Sequence, residues 1–150
     1  LINRSSLPTL VIPDGSKFEP INNILYAADY RPMDNDYALQ ALKDIAEANS
    51  AEVRMVHVIE KPKEASEEKR VERHRQGHFF EPEVKYSYKV VKDKKGVVHG
   101  IKFYLDKKGD HGMVAMVKHK HGILHDAFIE NRTERMAYHS SMPLLVMPDL

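Results

Sequence analysis

Short apolar runs alternate along this chain with segments whose apolar residues recur at helical spacing, the first of these helices covering residues 38–48. The apolar runs that predict strands are 23–28, 53–59, 84–91, 113–117 and 144–147. Strands separated by helices pair in parallel through right-handed crossovers, so helices cover both faces of the sheet. The pattern therefore predicts an α/β fold of the Rossmann-like, doubly wound kind, with five parallel strands.

The other helices are predicted from the same spacing and from local end signals. Apolar residues at helical spacing cover 97–105, and Gly109 suits the end of that helix. A longer helix is predicted over residues 123–139. Dense charge between residues 61 and 78 predicts a loop followed by an exposed helix, which Ser66 can cap.

Two similar motifs, L-P-T-L-V-I-P-D at residues 7–14 and M-P-L-L-V-M-P-D at residues 142–149, lie one domain length apart. Each is an apolar run between two prolines, as in a buried strand with sharply defined ends. Because the chain also opens at Leu1 rather than Met, we predict that residues 1–20 are the last strand and linker of a preceding domain. Residues 21–150 would be the second domain of a tandem protein.

The final strand also predicts how the domain associates. Its residues Leu144, Leu145, Val146 and Met147 are all apolar, and a strand at an uncovered sheet edge invites pairing with another strand. We expect the 8–12 segment to lie antiparallel to this strand, in the same or a neighbouring chain. The expected partner is therefore a second copy of the domain or the preceding tandem domain.

Composition and charge narrow the class of protein. Of the 150 residues, 42% are hydrophobic and 30% are charged, with no cysteine, and no apolar run is long enough to cross a bilayer. We therefore expect a cytoplasmic protein without a membrane partner. Lysines are dense between residues 85 and 120, but they are spread over several predicted elements without interleaved aromatic residues, so no nucleic-acid partner is expected.

The binding crevice of such a sheet lies beyond the carboxyl ends of its strands. Asp29 follows the first predicted strand, where its carboxylate could accept hydrogen bonds from a ribose or base; the alternative is that it caps the turn at 31–32. Lys118 and Lys120 follow the fourth strand and could attract an anion to the next helix N-terminus. An exposed basic turn is the favoured interpretation, because the loop carries a single glycine, Gly122.

Neither metal binding nor catalysis is indicated. His121 and His125 are four residues apart and could share one helix face, with His119 nearby. The spacing is not specific and no cysteine accompanies it, so exposed or hydrogen-bonded histidines are favoured and no metal is expected. No P-loop lysine motif and no G-x-G-x-x-G follows a predicted strand, and no nucleophile–base pair is evident. We expect a protein that is not an enzyme.

Two stretches of the chain resemble a known family. Residues 23–60, with a strand, A-A-D, a helix and V-H-V-I, are similar to the opening of a universal stress protein domain. Residues 112–148 are similar to its end, since N-R-T-E-R-M-A-Y-H-S-S-M-P at 131–143 matches the closing helix, S-x-x-E-R-x-x-x-H, and the proline before the last strand. The resemblance covers about two thirds of the chain and implies the strand order 3-2-1-4-5 with association through the last strand.

Some members of that family bind ATP through G-x-x-G-x9-G-[S/T] and an aspartate after the first strand. Asp29 matches the aspartate, and Asn131 stands at the Ser/Thr position. The three glycine positions fall on Val117, Lys120 and Glu130, whose side chains would fill the space that the phosphates need, and Glu130 adds an unfavourable charge.

The sequence thus predicts a universal stress protein-like, non-catalytic module that acts through dimerisation or through partner or ligand binding. Its nucleotide motif is degenerate, so tight ATP binding and an ATP cofactor are not expected. The alternative is a stress protein that binds ATP or AMP through Asp29 and the loop after the fourth strand, with Lys118, Lys120 and Asn131 as its other candidate ligands.

Overall fold

A computed structural model of the chain describes residues 6–17, 19–33, 36–119 and 142–149. Within these ranges, the side chain of Glu64 is not described. Six strands form one sheet: β1 (Thr9–Val11), β2 (Asn23–Ala27), β3 (Glu52–Ile59), β4 (Tyr86–Lys92), β5 (Met113–Lys118) and β6 (Leu144–Pro148). The α-helices in these ranges are α1 (Gln40–Asn49), α2 (Glu67–Phe80) and α3 (Val97–Lys108). Short 3₁₀ turns at Asp36–Leu39 and Pro62–Glu64 precede α1 and α2.

The sheet order is β1-β6-β5-β2-β3-β4, which confirms an α/β fold with a mostly parallel central sheet. The predicted sheet of five strands in the order 3-2-1-4-5 is wrong as stated, because a sixth strand, β1, extends the sheet beyond β6. The pairings β2–β3, β2–β5, β3–β4 and β5–β6 are parallel, while β1–β6 is antiparallel.

The antiparallel β1–β6 pair corrects the expectation of an uncovered edge. Thr9 lies opposite Val146, Leu10 opposite Leu145 and Val11 opposite Leu144 within one chain. The expected antiparallel arrangement is thus confirmed, but the backbone edge of β6 is already paired. Among the described strands, β1 is the outermost on this side of the sheet.

The helix ends follow the signals read from the sequence. Ser66 caps α2, and its hydroxyl oxygen accepts a hydrogen bond from the Lys69 backbone N–H at 3.3 Å. Gly109 ends α3 in the left-handed conformation, with φ of 68°, which glycine adopts without a steric penalty. The helix predicted over residues 123–139 lies outside the described residues.

The two faces of the sheet carry separate hydrophobic clusters. One face packs alternate strand residues such as Ile24, Met55 and Val117 against Leu42 of α1 and Phe80 of α2. The opposite face is covered by α3, whose buried residues meet the other set of strand side chains; its larger members are Leu25, Val56, Val58, Ile101, Tyr104, Met116, Leu144 and Val146. Helices therefore lie on both sides of the sheet.

The segment predicted as an exposed helix is more buried than its charge suggests. Within α2, Glu72, Gln76, Gly77 and Phe80 are buried against the sheet. A Cβ at Gly77 would lie 2.6 Å from the ring of Tyr86, so glycine lets this helix approach β4 closely. Most of the charged side chains of α2 therefore lie on its outer face.

No α-helix in the described ranges is long and apolar enough to cross a membrane. This finding concerns α1, α2 and α3 alone.

Candidate functional site

Three ionisable residues follow directly after three neighbouring strands. Asp29 lies two residues beyond β2, while His119 and Asp149 follow β5 and β6 immediately. Because these strands are parallel and adjacent in the order β6-β5-β2, their carboxyl ends meet at one edge of the sheet. We call these residues the Asp29–His119–Asp149 cluster.

The imidazole of His119 bridges the two carboxylates of this cluster. Its Nε2 lies 3.3 Å from Asp29 Oδ1, and its Nδ1 lies 3.1 Å from Asp149 Oδ2. The side chains of His119, Asp29 and Asp149 are only 8%, 11% and 17% exposed. Both ring nitrogens donate in the protonated imidazolium, so a charged His119 satisfies both acids at once.

The pKa values of His119 and Asp29 are both shifted. Burial alone lowers the pKa of His119, but the hydrogen bonds and charges of Asp29 and Asp149 outweigh it and raise that pKa above its usual 6.5. Burial likewise raises the pKa of Asp29, but the hydrogen bond and charge of His119, with a contribution from Arg31, bring that pKa below its usual 3.8. Both groups are therefore stabilised in their charged forms.

Asp29 is held by the backbone as well. Its Oδ1 accepts a hydrogen bond from the Arg31 backbone N–H at 3.1 Å, so the turn-capping role considered for Asp29 is present. Its Oδ2 is buried and has no hydrogen-bond partner within the described ranges. A neighbouring cavity of about 30 Å³ has room for a single water molecule. One carboxylate oxygen is thus engaged, and the other remains an acceptor.

Of the other residues predicted to bind a nucleotide, one is described by the structure and two are not. Lys118 ends β5, where its carbonyl oxygen accepts a hydrogen bond from the Asp149 backbone N–H at 3.1 Å. Lys120 and Asn131 lie outside the described residues, as does Glu130. Val117 is described: it lies within β5, opposite Met147 of β6, with its side chain buried in the core.

The residues predicted to form an association surface are buried. Leu144 and Val146 point to the α3 side of the sheet, while Leu145 and Met147 point to the opposite side. Their backbone edge pairs with β1 from Leu144 to Val146. These side chains are therefore core residues, and a further strand added on this side would meet β1.

Of the three histidines considered for metal binding, the structure describes His119. His119 is engaged with two carboxylates, while His121 and His125 lie outside the described residues. Within the described ranges, no three His, Cys, Asp or Glu side chains are arranged to hold a metal ion.

A second polar cluster, which was not predicted, lies between the sheet and α2. The Tyr26 hydroxyl donates to Gln76 Oε1 at 2.8 Å, and Gln76 Nε2 donates to Glu72 Oε1 at 3.0 Å. Arg75 donates to both oxygens of Glu72 and to Asp36. This chain of bonds joins β2, α2 and the turn before α1, so buried polar groups here are satisfied within the protein.

The position of His119 and Asp149 close to Asp29 could have been predicted from the topology. Each stands at the end of a strand that lies next to the strand of Asp29, or one strand further along the sheet. The buried network around Glu72 had no such signal, because the charge of α2 concealed its buried side.

Comparison with known proteins agrees with this fold. The model of the universal stress protein family matches residues 20–148. The solved structure of a universal stress protein from Archaeoglobus fulgidus DSM 4304 superposes with a TM-score of 0.59 at 13% sequence identity, which supports a shared fold. The match covers 97% of this chain and 50% of that one, so this chain spans half the length of the solved protein. A search of curated proteins found no significant match.

Proposed function

Because the chain belongs to the universal stress protein family, we propose that it is a non-catalytic stress-response module that acts through association and does not bind ATP tightly. Residues 1–20 are proposed to belong to a preceding domain of similar design, so the module works as one half of a tandem protein. The proposal joins two separate features of the molecule, one at the carboxyl edge of the sheet and one at strand β1.

The observation that carries the first part is the contact between His119 and Asp29. In ATP-binding members of the family, the aspartate after the first strand contacts the nucleotide. Here Oδ1 of the corresponding Asp29 faces the His119 imidazole at 3.3 Å and accepts the Arg31 N–H. A ribose or base reaching that oxygen would displace a buried, charged partner, which costs binding free energy.

The degenerate glycine motif supports the same proposal. Its first position is Val117, whose side chain is packed in the core, and its other two positions are Lys120 and Glu130. A phosphate-binding loop needs its backbone N–H groups close to the ligand, and glycine permits that approach.

Thermal unfolding with magnesium and ATP tests this part. Binding to the native state raises the melting temperature, and the rise grows with the logarithm of the free ligand concentration once that exceeds Kd. We expect magnesium with ATP or AMP to give the same melting temperature as magnesium alone, in wild type and in Asp29→Asn. A rise in wild type that increases with nucleotide concentration and that Asp29→Asn abolishes would contradict the proposal.

One observation favours the alternative of nucleotide binding through Asp29 and the loop after β5. Oδ2 of Asp29 is buried without a hydrogen-bond partner among the residues described, and such an oxygen can accept a bond from a ligand. The same unfolding experiment decides between the two functions.

The association part rests on the apolar edge formed with β1. Leu10 is 45% exposed and Ile12 is 55% exposed, beside the outer edge of β1, which pairs with no further strand among the described residues. An apolar open edge favours pairing with another strand, so we propose that a second copy, or the preceding tandem domain, covers it. Sedimentation equilibrium should show a dimer that the double variant Leu10→Lys, Ile12→Lys converts to monomer, while Phe103→Lys on α3 leaves it intact. A monomeric wild type would refute homodimerisation.

A further inference from the structure

A cavity lies between the N-terminal half of α2 and the ends of β3 and β4, on the face of the sheet opposite α3. It has a volume of about 170 Å³, which is room for about five or six water molecules. Its polar lining includes Tyr30, Ser66, Lys69, Arg70 and Arg73. We call it the α2 cavity; it is smaller than the pockets that hold drug-sized ligands, which start near 300 Å³.

Two buried hydrogen-bonding groups at this cavity lack partners among the residues that the structure describes. Tyr30 is 3% exposed, and its hydroxyl has no hydrogen-bond partner there. The Nε of Arg73 is also buried without an acceptor. Buried polar groups are nearly always paired in native proteins, so two of them beside one cavity indicate a bound acceptor.

The charge around the cavity is positive. Among the side chains that the structure describes, Lys69, Arg70 and Arg73 line it against one carboxylate, Glu67. Arg70 already binds that carboxylate through two hydrogen bonds, so the pair is neutral. Lys69 and Arg73 form no ion pair with any side chain that the structure describes, so the described part of the lining carries a net positive charge.

Aromatic contacts hold the two donors in place. The ring of Tyr30 lies 5.1 Å from that of His57, whose Nδ1 is 2.8 Å from the Ala28 carbonyl oxygen. The guanidinium of Arg73 lies over the ring of Tyr88 at 4.0 Å from its centre. The first turn of α2, which also lines the cavity, adds the positive end of a helix dipole.

We propose that the α2 cavity binds the phosphate group of a small ligand through the Tyr30 hydroxyl and the Arg73 guanidinium, with Lys69 adding charge. Arginine matches the geometry of phosphate oxygens, and a phenol hydroxyl donates the further hydrogen bond. The cavity volume suits inorganic phosphate or a short phosphate monoester. Asp29 does not line this cavity, although His57 and Lys69 line both it and the small cavity beside Asp29.

Isothermal titration of the whole chain with inorganic phosphate, at constant ionic strength set with sodium chloride, tests the proposal. We expect saturable binding that Tyr30→Phe and Arg73→Gln each weaken by about tenfold or more, since each removes a hydrogen bond to a charged group. The control Lys102→Gln removes one charge from the exposed face of α3 and should weaken binding by less than about twofold.

Thermal unfolding of the unliganded variants separates binding from structural damage. Tyr30→Phe removes a hydroxyl without a described partner, so the unliganded melting temperature should stay the same or rise while phosphate affinity falls. If phosphate releases no heat, or if Lys102→Gln weakens binding as much as Arg73→Gln, the proposal is wrong.

A parallel titration with glycerol 3-phosphate distinguishes the two sources of the phosphate group. Tighter binding of the ester identifies an organic phosphate as the ligand, and equal or weaker binding identifies inorganic phosphate. Either result requires that Tyr30→Phe weakens the binding, and a Tyr30-independent affinity for both ligands would overturn the assignment.

Discussion

The Asp29–His119–Asp149 cluster and the α2 cavity lie at the same end of the sheet. They differ in whether their buried polar groups have partners within the protein. In the cluster, one imidazole lies against two carboxylates and each of its ring nitrogens faces a carboxylate oxygen, while Oδ2 of Asp29 has no partner in the described ranges. At the cavity, a buried phenol hydroxyl and a guanidinium nitrogen have no partners in the described part of the chain, and the lining is positive.

This difference in pairing distinguishes polar groups that stabilise the fold from polar groups that can bind a ligand. A buried ion pair whose members satisfy each other resists replacement, because a ligand must first displace a charged partner. A buried donor without a protein partner gains a hydrogen bond when an acceptor arrives. We therefore interpret the cluster as a support for the sheet edge and the cavity as the place where a small ligand binds.

The largest expected effect comes from breaking the cluster. His119→Ala leaves two largely buried carboxylates without their shared cation, so the free energy of unfolding should fall by about 3 kcal/mol. Chemical denaturation at neutral pH measures the change.

A matched control is the pair of His99 and Asp93, whose side-chain atoms are 2.6 Å apart and whose imidazole is 48% exposed. His99→Ala should change stability far less, because exposed ion pairs are screened by solvent. Equal losses in the two variants would show that the cluster contributes no more than a surface pair.

The pH dependence of the same energy is the next largest effect. The raised pKa of His119 stabilises the fold below the ordinary value of 6.5, and this contribution is lost as the pH rises through the folded pKa. The lowered pKa of Asp29 stabilises the fold above the ordinary value of 3.8, and this contribution is lost as the pH falls through the folded pKa.

The difference in unfolding free energy between wild type and His119→Ala should therefore be greatest between these two values and decrease above 6.5. Denaturation curves collected across that range measure it. A difference that grows towards alkaline pH would mean that His119 is neutral in the native protein.

The smallest expected changes in stability come from removing the hydroxyl of either of two tyrosines that are four residues apart. Tyr26→Phe removes the hydroxyl that donates to Gln76, within the buried network, and should cost about 1 kcal/mol. Tyr30→Phe removes a hydroxyl without a described partner and should leave stability unchanged or slightly higher in phosphate-free buffer. Thermal unfolding of both variants measures the contrast, and a larger loss for Tyr30→Phe would remove the distinction between the two regions.

Most of the fold was predictable because its signals are local. Apolar runs, helical spacing, Ser66 and Gly109 predicted strands and helix ends that the structure confirms where it describes them. The sixth strand was missed in the sheet count because residues 7–14 resembled a strand of another domain, and three residues of pairing with β6 depend on tertiary contacts.

The candidate site was predictable only in part. Asp29 was identified by its place after a strand, and His119 was noted for a different chemistry. Their contact depends on adjacent strand ends and side-chain rotamers, which spacing along the sequence does not determine. The α2 cavity was missed because Tyr30 and Arg73 come from separate elements, and a single arginine in a charged helix gives no sequence signal.

Nitrogen-15 NMR of the His119 side chain, followed against pH with and without magnesium ATP, tests the central claim that this imidazole holds Asp29. The account predicts a pKa above 6.5, protons on both ring nitrogens at lower pH, and the same titration when the nucleotide is added. A His119 that titrates at or below 6.5, or one whose pKa falls when the nucleotide is added, would show that Asp29 is available to a ligand and would contradict the account.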